Sequence, residues 1–175
     1  MIKSVLGGDY MIRLATVFSG IGAVEAAMQK DKINYKLVFA CDNGERELPE
    51  NEEDIKKLIK NLSYNKAKKV IDDLYLKTGR PNYMEQSYMA NYKIDKNNFY
   101  QDIRFIDGSH YKNKVDLLVG GSPCQSFSII GKRGGFNDTR GTLFYEYARL
   151  ISECEPKVFI YENVRGMLNH DGGKT

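Results

Sequence analysis

Val115-Asp116-Leu117-Leu118-Val119-Gly120-Gly121-Ser122-Pro123-Cys124 is an apolar run closed by two glycines and a proline. The run reads as a buried strand, and its exit forces the chain into a sharp turn. A cysteine is thereby delivered to the lip of a sheet. A thiol there could attack an electrophile, bind a metal, pair in a disulfide or simply pack as a small buried hydrophobe, which is the commonest case. Its neighbours decide between these readings.

Upstream, Met11 to Phe18 forms a first strand that ends at Ser19-Gly20-Ile21-Gly22 and passes into a short helix from Ala23 to Met28. A strand, a glycine turn and a helix bring a nucleotide-like ligand close to backbone and to a helix N-terminus. The turn is only G-x-G, and Glu25 stands where a dinucleotide fingerprint has its third small residue. A carboxylate there repels a pyrophosphate, so the turn suits a cofactor without phosphates and disfavours a nicotinamide-dependent oxidoreductase. A second strand, Tyr35 to Cys41, delivers Asp42 twenty residues after Gly22, where an acid commonly binds ribose hydroxyls; the alternative is a helix or turn cap.

From Glu52 to Leu76 the apolar residues recur at helical spacing on either side of Ser63-Tyr64-Asn65, which predicts a helical hairpin. Lys56, Lys57, Lys60, Lys66, Lys68 and Lys69 read as its solvated faces. Gly79 to Asn98 reads as loop with no assignable function, so the helical hairpin and loop together cover about residues 45–98. Phe99 to Phe105 then places Asp102 beside Ile103. Downstream of the cysteine, Gly131 to Asp138 has the glycine-rich, basic composition of a flap. Leu143, Phe144, Tyr147, Ala148 and Ile151 mark a helix, and the strand Pro156 to Tyr161 ends in Glu162-Asn163-Val164.

Strands alternating with helices predict an α/β fold with a mostly parallel sheet, flanking helices and right-handed crossovers. In such sheets ligands gather at the carboxyl ends of strands. Gly20, Asp42, Cys124 and Glu162 each follow a strand, so the fold brings all four to one edge. That convergence argues for a working cysteine. The chain has 175 residues, 42% hydrophobic and 28% charged, with net charge +3. This balance is that of one soluble globular domain, and the mild positive charge permits a nucleic-acid partner without requiring one. No run reaches a membrane span and no secretory segment is present, so a cytoplasmic location is expected. Cys41, Cys124 and Cys154 are widely spaced and odd in number, so neither a zinc site nor a disulfide framework is expected.

Together, Phe18-Ser19-Gly20-Ile21-Gly22, Asp102-Ile103, Gly121-Ser122-Pro123-Cys124-Gln125-Ser126-Phe127-Ser128, Arg140-Gly141-Thr142-Leu143-Phe144 and Glu162-Asn163-Val164 resemble, in order and approximate spacing, the DNA (cytosine-5) methyltransferase family. The resemblance implies a Rossmann-like S-adenosylmethionine-dependent methyltransferase fold. It also implies a mechanism. Carbon 5 of cytosine is too poor a nucleophile to take a methyl group directly, so Cys124, as thiolate, adds to carbon 6 while Glu162 holds ring nitrogen 3 and the exocyclic amine. Carbon 5 then takes the methyl group, its proton is lost and Cys124 is expelled, leaving 5-methylcytosine and S-adenosylhomocysteine. The substrate is duplex DNA with the cytosine flipped out.

Carried over by resemblance, Phe18, Gly20 and Gly22 lie along the cofactor, Asp42 takes its ribose hydroxyls, Asp102 and Ile103 receive the adenine, and Pro123 shapes the pocket floor. Gln125, Ser128, Lys132 and Arg133 resemble the loop that closes over DNA. Family members continue through an arginine-rich motif, a target-recognition domain and a late helix that are absent here. The expectation is therefore the front half of a bacterial restriction-modification methylase, with an incomplete fold, weak or inactive alone and needing a missing C-terminal half or complementary subunit. A transfer RNA cytosine-5 methyltransferase and a non-catalytic module binding cofactor or DNA remain as alternatives, although the presence of both Cys124 and Glu162 speaks against the latter. A zinc deaminase is disfavoured because Phe127 stands where its second cysteine belongs.

Overall fold

The computed structural model describes residues 10–123 and 143–164. Five strands, β1 (Ile12–Val17), β2 (Tyr35–Cys41), β3 (Phe99–Tyr100), β4 (Leu117–Gly120) and β5 (Val158–Tyr161), form one sheet in the order β3-β2-β1-β4-β5. All four pairings are parallel. The helices are α1 (Ala23–Lys30), α2 (Glu52–Ile59), α3 (Tyr64–Lys77), α4 (Tyr83–Asn91) and α5 (Leu143–Cys154). Strand order reverses between β1 and β4, which creates the switch point outside which ligands of doubly wound sheets bind.

The central strand explains the doubly covered architecture. Leu14, Ala15, Thr16 and Val17 are all buried, as expected of a strand packed on both faces. On one face Ala15, Val17, Phe39 and Leu118 pack against Tyr147, Leu150 and Cys154 of α5. On the other Leu14 and Val119 meet Met28 of α1, and Ala40 with Phe99 meets Tyr88 of α4. At the amino ends of the strands Asp116 accepts from Nε and Nη2 of Arg13 at 3.0 and 2.8 Å and pairs with Lys157 at 2.9 Å. These cations, chiefly the Arg13 bonds, hold the Asp116 carboxyl far below the usual carboxylate range.

The predicted hairpin is present as α2 and α3, joined through Ile55, Ile71 and Tyr75. Asn51 caps α2 by accepting from the Glu53 amide at 2.9 Å, and three acids in its first turn suit the helix dipole. Two expectations change. Gly79 to Asn98 is not simply loop, because it contains α4, capped by Asn82. Apolar residues are spread around α4 rather than gathered in a stripe, so periodicity carries no signal there. Nor is Lys68 solvated: its side chain is 8% exposed, pairs with Asp72 at 2.6 Å and lies over the Tyr100 ring. Lys56, Lys57 and Lys69 pair with acids of their own helices, as a solvated face would.

Candidate active site

The tip of β1 is a strained turn. Phe18, Gly20 and Gly22 have φ of 53°, 53° and 90°, in the left-handed region where side chains are disfavoured. At Gly22 space is closed as well, since a Cβ would lie 2.1 Å from Cε2 of Tyr92. At Gly20 nothing lies within 4 Å of that position, so the turn is open there. The Ser19 amide donates to the Cys41 carbonyl at 3.1 Å, and its hydroxyl accepts from the Cys41 amide at 3.2 Å. The tips of β1 and β2 are thereby tied together.

Asp42 completes that tie. Its Oδ2 accepts from the Gly20 amide and its Oδ1 from the Gly44 amide, each at 2.8 Å. The carboxylate is half-buried, so lone pairs remain for hydroxyl donors. Below it, Asn82 donates to the Asp42 carbonyl at 2.8 Å and to Gln101 at 3.0 Å, and Arg46 donates to the same Gln101 oxygen. Sequence spacing singles out none of Asn82, Arg46 or Gln101.

Asp102 and Ile103 lie past the tip of β3, and both are buried, 5% and 3% exposed. The Asp102 carboxylate accepts from the Tyr75 hydroxyl at 2.6 Å, from Nη2 of Arg104 at 2.6 Å and from the Arg104 amide at 3.0 Å. Burial and the adjacent Asp102 push the Tyr75 phenol up, so it remains a donor. Asp102 is therefore held inside the fold, one strand removed from Asp42, with Tyr75 and Arg104 as partners that the motif does not name.

Glu25 is also placed by packing. Although in the first turn of α1, it is fully buried, with Oε1 accepting from the Thr16 hydroxyl at 2.8 Å and from the Tyr88 hydroxyl at 2.5 Å. Its side chain is committed inward to Thr16 and Tyr88, so it does not face a ligand at the turn as its position in the helix predicts.

On the other side of the switch point, β4 and β5 end together. The Glu162 amide donates to the Gly120 carbonyl at 2.9 Å, and Oε2 of Glu162 lies 2.9 Å from where a Gly121 Cβ would be. Glycine at 121 is what lets this exposed carboxylate lie against the turn that leads to Pro123. A Cβ on Gly120 would meet Val17 at 2.6 Å and Tyr147 at 2.8 Å. Asn163 fastens the two tips, donating to the Tyr161 hydroxyl at 2.7 Å and to the Ser122 carbonyl at 3.2 Å, while the Ser122 and Tyr161 hydroxyls are 2.5 Å apart. Cys124, Gln125, Ser128, Lys132 and Arg133 lie outside the described residues. The other two cysteines, Cys41 and Cys154, are buried free thiols; burial raises both, Cys154 to about 12, which keeps them protonated and inert.

The arrangement therefore gathers Gly20, Gly22, Asp42, Pro123 and Glu162 at the carboxyl edge of one parallel sheet. A family model for the C-5 cytosine-specific DNA methylase matches residues 74–175. The orphan methyltransferase M.SPRI of Bacillus phage SPR is 37% identical over 164 residues, covering 94% of this chain but 29% of that protein. Type II methyltransferase M.Eco47II of Escherichia coli is 58% identical over 74 residues, covering 42% of this chain and 18% of that protein. The chain thus spans less than a third of the length of either relative. Among solved structures, the Dnmt2 methyltransferase of S. pombe superposes with a TM-score of 0.52 at 19% identity, over 92% of this chain and 38% of that one, a likeness of fold. The strand order, the motifs at the strand tips and these matches agree: the chain has the Rossmann-like methyltransferase fold and belongs to the C-5 cytosine-specific DNA methylase family.

Proposed function

We propose that this chain supplies the cofactor-binding and bond-forming part of an enzyme that methylates carbon 5 of cytosine in duplex DNA, in a bacterial restriction-modification setting. The observation that carries the reading is the placement of Glu162, whose carboxylate lies against Gly121 three residues before Cys124. A carboxyl group there is available to hydrogen-bond nitrogen 3 and the amine of an extruded cytosine, which stabilises the charge that forms when the Cys124 thiolate adds to carbon 6. That addition makes carbon 5 nucleophilic. After carbon 5 gains the methyl group it loses its proton, the carbon 6–sulfur bond breaks and the thiolate returns. S-adenosylmethionine, when bound, supplies the methyl group. The open space at Gly20 and the free lone pairs of Asp42 fit its adenosyl portion, with Asp42 accepting from ribose hydroxyls.

A second feature supports a covering partner. Val158, Phe159 and Ile160 of β5 are 56%, 54% and 50% exposed, an apolar strand open on both faces. Its occupant in this reading is the rest of the catalytic unit, which relatives carry in the length that this chain does not span.

The test is transfer of a labelled methyl group to duplex DNA, by the chain alone and by the chain complemented with the portion of a relative that this chain does not span. Weak or no transfer alone and clear transfer when complemented are expected. Cys124→Ser should lower the complemented rate about a thousandfold or more, and Glu162→Gln about a hundredfold. Methylation of transfer RNA in preference to DNA would overturn the substrate assignment, and full retention of activity in Cys124→Ser would overturn the mechanism.

A further inference from the structure

Helix α4 lies in the stretch that reads as a functionless loop, yet it is bonded directly to the turn on which cofactor binding rests. From its last turn, Tyr88 donates to Glu25 in the first turn of α1 at 2.5 Å. One residue beyond the helix, Tyr92 donates to the Gly22 carbonyl at 2.7 Å, and its ring fills the space where a Gly22 side chain would begin. The two rings are 5.0 Å apart. Glu25 is fully buried, and its Oε2 has no hydrogen-bond partner among the described residues, so Thr16 and Tyr88 alone hold the carboxylate. A left-handed non-glycine residue such as Phe18 persists only where its surroundings hold it.

We propose that Tyr88 and Tyr92 are positioning residues for the adenosyl cofactor: their hydroxyl groups clamp the 18–22 turn and the start of α1 in the conformation that receives it. The inference rests on the cofactor assignment above. Ring and hydroxyl have separable tasks. The Tyr88 ring packs on Ala40 and Phe99 in the core, whereas its hydroxyl reaches past them to α1. Tyr92 likewise keeps its ring against Tyr88 and spends its hydroxyl on the turn. Removing only the hydroxyls thus spares the packing and releases the turn. A merely structural pair would alter the folded fraction; a clamp alters cofactor affinity.

The experiment measures S-adenosylhomocysteine binding by titration calorimetry, and methyl-transfer kinetics, in the complemented enzyme carrying Tyr88→Phe or Tyr92→Phe. The dissociation constant and the cofactor KM should each rise about fivefold for either variant, the equivalent of one lost hydrogen bond, while kcat at saturating cofactor falls less than about twofold. Asp116→Asn, at the opposite end of the strands, serves as the stability control and should leave the cofactor KM unchanged while lowering Tm. Variants that bind cofactor like the wild type, or that lose kcat without a change in KM, overturn the clamp and leave the proposed function standing. A wild-type enzyme that does not bind S-adenosylhomocysteine overturns both.

Discussion

The two ends of the sheet differ in how far this chain completes them. Around β1 and β2 every strand residue near the tip is covered, and the tips and the turn after β1 are fastened by Ser19, Asp42 and Tyr92. Around β5 three successive apolar residues stand about half exposed, and β4 is the neighbour that pairs with it among the described residues. The end that carries Gly20 and Asp42 is thus self-supporting, whereas the end that carries Glu162 leaves an apolar strand open to solvent. Affinity for cofactor and competence for chemistry are expected to separate when the chain is studied alone.

The largest stability effect expected on the finished side is that of Gly22→Ala. It combines a left-handed φ with a Cβ driven into the Tyr92 ring, and should cost about 3 kcal/mol in urea unfolding, along with most cofactor affinity. An unchanged midpoint would show that the Tyr92 ring moves aside freely, and that the two ends are less different than the packing indicates.

A smaller effect concerns the bond that links the two sides. Asp116 precedes β4 and joins Arg13 of β1 to Lys157 at the start of β5. Its folded pKa is depressed, so its stabilisation is present above the unfolded value, near about 4, and is lost as pH falls below that toward the folded pKa. Asp116→Asn should remove the part of the acid-induced loss of Tm that lies below about pH 4. A wild-type-like acid profile in that variant would assign the acid sensitivity elsewhere.

The smallest effect sharpens the comparison most. Phe159→Asp in the isolated chain should change stability by no more than about 0.5 kcal/mol, because the side chain is already half in water. The same substitution should abolish complementation by a second half. Destabilisation of the isolated chain by several times that amount would mean that β5 is already covered within this polypeptide.

Much of the fold is legible in the sequence, for a physical reason that differs by element. The strands announce themselves because a doubly covered parallel strand needs a run of apolar residues, and their tips because sharp exits need glycine or proline. Asp42 and Glu162 are legible in this way as residues at strand tips. Helix α4 is not, because its apolar residues form no stripe. The spacing makes Glu25 a charge at the glycine turn, whereas its surroundings are set by Tyr88, 63 residues away. One partner of Asp102 is equally remote from any motif: Tyr75 lies on α3.

What the amino-acid order determined by itself is the parallel α/β fold and the residues at its strand tips, since both follow from local patterns of apolar runs and glycine turns. What only the tertiary structure decided is which charged and phenolic groups are consumed inside the fold and which stay free to meet a ligand. Burial and hydrogen-bond saturation are properties of three-dimensional neighbours, and those of Glu25 and Asp102 include tyrosines on helices that no spacing rule connects to them.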